Sequence, residues 1–156
     1  MPTSSAGASS NHGDRVDRSP RREAPVPAAS FELLDVARHG LAAASTAPSA
    51  GDRYAAAHLA ALRAAAAVLA SRARPTARRS GPRSVWSVLP QVAPELGEWA
   101  AFFAAGAGKR AAAEAGLGSV ISVREADDLV RDAASFVALV EGALGRPHQT
   151  AFPLVG

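Results

Sequence analysis

The sequence contains no cysteine. That excludes disulfides, thiolate metal ligands and cysteine nucleophiles. Aromatic residues make up only 5%, so any core must be filled mainly by aliphatic side chains. Lysine is nearly absent: sixteen of the seventeen basic residues are Arg. Such Arg and Ala usage reads as codon bias of a G+C-rich bacterial genome, which weakens the high pI as an argument for nucleic acid. The longest apolar runs are residues 55–70, interrupted by His58 and Arg63, and residues 99–108. Neither reaches the roughly 20 residues of a membrane span, and the N-terminus has no apolar leader core. The expectation is a soluble, cytoplasmic protein with no membrane partner.

What is abundant is alanine, about a quarter of the 156 residues, and alanine has the highest helix propensity with little side-chain entropy to lose. Residues 1–29 are rich in Ser, Pro, Gly and Arg and hold almost no large apolar residue. They read as a disordered arm that cannot bury enough surface to offset its ordering entropy. Residues 30–145 read as one helical domain and residues 146–156 as a short tail. Within the domain, residues 71–83 carry five Arg and no acid, with Pro75, Gly81 and Pro82, and read as a basic loop.

Five helices are expected. The first starts at Ser30 as N-cap, carries Phe31, Leu34, Val36, Ala37 and Leu41, and stops near Pro48. The second runs from Asp52 to about Ala70 with Tyr54, His58, Leu62, Ala65 and Leu69 at helical intervals. A short third, from Ser84, presents Val85, Trp86 and Leu89 and ends at Pro90. The fourth opens at Pro94 with Glu95 and Glu98 in its first turn, and closes with Lys109, Arg110 and then Gly116. The fifth has a capping box from Ser122 to Glu125 and an apolar face of Ala126, Leu129, Val130, Ala133, Phe136, Val137 and Val140, before Gly145 and Pro147. With no strand pattern, no repeat and short connections, the fold class is all-α, a four- to five-helix up-and-down bundle.

Residues 54–69 (YAAAHLAALRAAAAVL) and 85–116 (VWSVLPQVAPELGEWAAFFAAGAGKRAAAEAG) carry a resemblance. They resemble the HEPN family, the higher eukaryotes and prokaryotes nucleotide-binding domains, in a branch common in actinobacteria. With the last helix the similarity covers residues 30–145. It implies an all-α domain, often a homodimer, that binds RNA, a nucleotide or a protein partner and needs no cofactor or metal. Active members are metal-independent ribonucleases with an Arg, four to six residues, then a His, usually near the start of a late helix. There the Arg supports phosphate charge and the His moves a proton at the ribose 2′-OH.

This sequence departs from that motif. Arg53 and His58 fit the spacing, but on the second helix, and five helical residues turn the direction by roughly 140°. The catalytic reading of Arg53 with His58 therefore competes with a core histidine. Arg110 stands nearer the expected place of the family arginine, yet residue 115 is Ala and no His follows before the fifth helix. Anion binding by Arg110 competes with an ion pair to Glu114. Arg72, Arg74, Arg78, Arg79 and Arg83 could neutralise phosphates without reading sequence, or be a solvated linker; no aromatic is interleaved for base stacking.

Trp99, Phe102 and Phe103, followed by small residues, make the fourth helix apolar nearly all round. It is either central or offers Phe102 as a partner surface. Glu125, Asp127, Asp128 and Asp132 are explained by pairing with Arg124 and Arg131 rather than by a metal. The Gly106–Arg110 stretch lacks the Gly and Ser/Thr of a phosphate loop, since Phe103 and Arg110 stand at those places. His12, His39 and His148 make no ligand pattern. The leading expectation is a binding domain with little or no catalysis; the alternatives are a metal-independent endoribonuclease and a purely structural interaction module.

Overall fold

A computed structural model describes residues 24–72 and 84–146. Most of the N-terminal arm, residues 73–83 of the basic stretch and all but Arg146 of the tail lie outside the described residues. The described residues form α1 (Ala28–Thr46), α2 (Ala50–Arg72), α3 (Val85–Val92), α4 (Gly97–Glu114) and α5 (Val123–Ala143), with single 3₁₀ turns at Pro94–Leu96 and Gly118–Val120. No strand occurs among them.

Contacts along the helices give their directions. Ser30, at the start of α1, reaches the carbonyl of Ala67 near the end of α2, so α1 and α2 are antiparallel. Gly51 meets Ala113, whereas His58 meets Phe103, so α4 runs against α2. Lys109 pairs with Glu125 while Trp99 meets Phe136, which sets α5 against α4. The result is an up-and-down bundle in which α2 touches every other α-helix.

The central position of α2 follows from its composition. Eleven of its residues are buried, six of them Ala, and side chains this small let neighbours approach from several sides. By length and composition alone α2 could cross a membrane, but here its apolar surface is spent on α1, α3, α4 and α5. The fourth helix is not central: only Ala100 and Phe103 of α4 are buried. The bulk of α4 lies in Trp99, Phe102 and Phe103 of its first half, and the Ala and Gly that follow offer little apolar area to bury.

Several boundaries differ from the sequence reading for physical reasons. Ser30 is not a cap; α1 begins at Ala28 behind Pro27, and the fully buried Ser30 hydroxyl donates to Ala67 O at 2.9 Å. Val36 is 44% exposed rather than facing the core. The cap of α2 is Ser49, whose Oγ accepts from Asp52 N at 3.0 Å. Ser71 and Arg72 belong to α2, not to the loop. Pro90 lies inside α3. It removes one donor only, and the buried Trp86 and Leu89 hold the helix on the bundle while Ala93 N–H closes onto Leu89 O at 2.8 Å.

The capping box of α5 forms in full, Ser122 Oγ accepting from Glu125 N and Glu125 Oε2 from Ser122 N. At the end of α4, Gly116 takes φ +82°. Its N–H bonds Ala113 O and the next N–H bonds Ala112 O, a Schellman closure.

Candidate functional site

His58 is fully buried between α2 and α4. Its Nε2 lies 2.7 Å from Phe103 O, and Nδ1 lies 3.5 Å from Arg110 Nη1. A carbonyl only accepts and a guanidinium only donates. The arrangement therefore selects the neutral tautomer, with Nε2–H donating to Phe103 and Nδ1 accepting from Arg110. Burial, and then the Arg110 charge, hold the imidazole below its ordinary pKa against the contrary pull of the Phe103 hydrogen bond. Around the ring stand Tyr54, stacked at 6.5 Å, and Trp86 and Phe103, edge-on at 5.8 and 5.9 Å.

Arg53 is not part of this group. Its Nε stands 3.3 Å from Asp127 and its Nη1 donates to Ala47 O at 3.3 Å. Arg53 and His58 thus point to different neighbours, as a turn of roughly 140° between them requires. Arg110, from another helix, is the cation that meets His58; its Nε also lies 3.6 Å from Glu114. Arg and His are brought together, then, but on the inner side of α4 and across helices rather than within one motif.

Beside His58 a shallow cavity of about 220 Å³ is lined by Tyr54, Phe102, Gly106, Lys109 and Leu129, among others. Phe102 is 46% exposed at its rim. Burial raises the Tyr54 phenol above its usual pKa. Lys109 pairs with Glu125, and this contact together with the Ser122 cap lowers the Glu125 carboxyl to about 2. Tyr54 was visible in the sequence only as part of an apolar face, and Lys109 only as a helix-end charge. The signal that could have located the contact is Gly106, a glycine inside a helix, which marks close approach.

The remaining cations are also mostly engaged. Arg72 pairs with Glu95, Arg38 with Glu141 and Arg146 with Asp35. Arg124 and Arg131 both pair with Asp128, while Asp127 serves Arg53. Arg74, Arg78, Arg79 and Arg83 lie outside the described residues. Among the described residues no group of three His, Asp or Glu could hold a metal. The described positions hold nine basic and eleven acidic residues, so the net positive charge of the chain resides in the segments around them.

Residues 44–141 match a family model described as SAV_6107-like HEPN. No curated protein and no solved structure matches the chain.

Proposed function

The chain belongs to the HEPN family, and on that premise we propose that it acts as a binding domain without nuclease chemistry. HEPN domains are generally concerned with RNA or nucleotides. In this reading the chain engages RNA phosphates through Arg74, Arg78, Arg79 and Arg83 and a protein partner, a second copy of itself, through the exposed side of α4 around Phe102.

One observation carries the non-catalytic part. His58 has no exposed surface, its N–H is committed to Phe103 O, and its lone pair faces Arg110. A general base must reach the proton it abstracts, directly or through one water. His39, the other described histidine, lies on α1 with Nδ1 2.8 Å from Asp35 O.

RNA attraction by the folded body itself is disfavoured by its acidic balance and its paired cations. That places the burden on the Arg-rich segment, and Arg72 contributes less because Glu95 already neutralises it. For association, α4 offers Ala101, Phe102, Ala104, Ala105 and Gly108, all exposed; small residues of this kind let a second helix come close.

The nuclease alternative has one observation in its favour, the approach of Arg110 to His58. The test is RNA incubated with purified protein in chelator. The expected result is no cleavage. Chelator-resistant cleavage that vanishes in His58→Ala and in either Arg53→Ala or Arg110→Ala, with each variant folded, would make the protein a ribonuclease.

A further inference from the structure

The second half of α4 is weakly held. The buried residues of this 18-residue helix are Ala100 and Phe103, and residues 104–114 include none. That half runs between two cavities. One is the cavity of about 220 Å³ against Tyr54 and Leu129. The other, about 340 Å³, is lined by Gly51, Asp52, Ala113 and Gly118, among others. No residue of this half is fully buried, and what keeps it in place is a few polar and close contacts: those around His58, the Lys109–Glu125 pair and the approach of Ala113 to Gly51 and Gly118.

We propose that His58 is an acid-operated latch: neutral, it holds the second half of α4 against α2, and on taking up a proton it releases that half. The chemistry is set by the groups that face the ring. From α4 come the Phe103 carbonyl and the Arg110 guanidinium, with Glu114 behind Arg110 at 3.6 Å. From α3 comes the neutral indole of Trp86, and from α2 itself the Tyr54 phenol, un-ionised throughout the acid range. From α5, Leu129 borders the shared cavity, which Lys109 of α4 also lines while paired with Glu125 of α5.

A protonated imidazole carries N–H on both nitrogens. Nδ1–H then confronts the Arg110 N–H groups, donor against donor and cation against cation, at a ring with no exposed surface of its own. Glu114 already serves Arg110 and offsets this only in part. Swinging residues 104–114 outward hydrates both cations and removes the conflict. The Phe103 end, anchored by ring contacts to Trp86 and Phe136, stays as the hinge.

The direction follows from linkage. The closed form binds the proton less well than the open form, so closure is favoured above the ordinary histidine value of 6.5 and weakens as pH falls below it. One proton couples to opening, so the open population grows by up to about tenfold for each pH unit in that window.

Hydrogen exchange of amides 104–114 in the full chain, from pH 8 to pH 5 and corrected for intrinsic rates, reads this directly. The expected result is a rise in opening below 6.5 that shares its midpoint with the His58 ring resonance, while α5 amides stay protected. His58→Gln supplies one neutral donor and one acceptor and should abolish the pH dependence. Should that variant not fold, Arg110→Gln removes the opposing cation and should flatten the rise. Unchanged protection of residues 104–114 down to pH 5, a His58 titration without opening, or an equal rise in either variant would overturn the latch. None of these outcomes bears on RNA binding or cleavage.

Discussion

Gly106 lies over the Tyr54 hydroxyl so closely that a Cβ at residue 106 would stand 2.6 Å from it and 3.4 Å from His58 Cδ2. Alanine normally stabilises a helix interior over glycine by about 0.5–1 kcal/mol. Here Tyr54 is buried and stacked beside His58, and overpacking of this kind costs about 1–3 kcal/mol. Gly106→Ala should therefore lower stability. Gly108, two residues on, meets nothing within 4 Å, and Gly108→Ala should raise stability by about 0.5–1 kcal/mol. Urea titration of the pair checks both signs.

Glu125 links the cap of α5 to α4 through Lys109. Its carboxyl falls from an ordinary 4.5 to about 2 in the folded chain. A depressed carboxyl contributes stability that is complete above 4.5 and is lost as pH drops toward 2. Glu125→Gln keeps a capping side chain but no charge, so wild type and variant should differ in melting temperature at pH 7 and converge near pH 2.

Phe102→Asp should break self-association and cost the monomer about 0.5–1.5 kcal/mol through the lost edge-on contacts with Trp99 and Phe103. Light scattering over micromolar concentrations reads the first and thermal melting the second. A wild-type chain that is monomeric throughout would remove α4 as a self-docking surface.

Replacing Arg78 and Arg79 by Ser should flatten the log–log salt dependence of RNA binding by about 1.4 to 1.8, taking about 0.7 to 0.9 per phosphate contact. An unchanged slope would leave the interaction-only reading and assign those charges to codon usage.

Features written in neighbouring residues were legible. The Ser122–Glu125 box, the glycine stop at Gly116 and the apolar stripe of α5 each need only a local pattern, and the structure holds all three. What could not be read was placement across the chain. Alanine gives a helix no contrast between faces, so nothing local says that α2 is central and α4 peripheral. Ser30 reads as a cap because its partner, Ala67, is 37 residues away. His58 could be suspected of burial from its neighbours, but its meeting with Arg110 spans 52 residues. The family match reached the fold without that contact, since helix packing tolerates many side chains where a proton-transfer pair tolerates few.

The alanine-built middle of the bundle also sets how the protein responds to temperature. Ala57, Ala60, Ala61, Ala64, Ala65 and Ala67 are all fully buried, yet each hides only a methyl group. Unfolding such a chain hydrates less new hydrocarbon per residue than unfolding a core of Leu and Phe. The heat-capacity increment should then fall at or below the lower end of the usual range of about 12–15 cal/mol/K per residue. Its stability curve is correspondingly shallow, broad in temperature rather than tall.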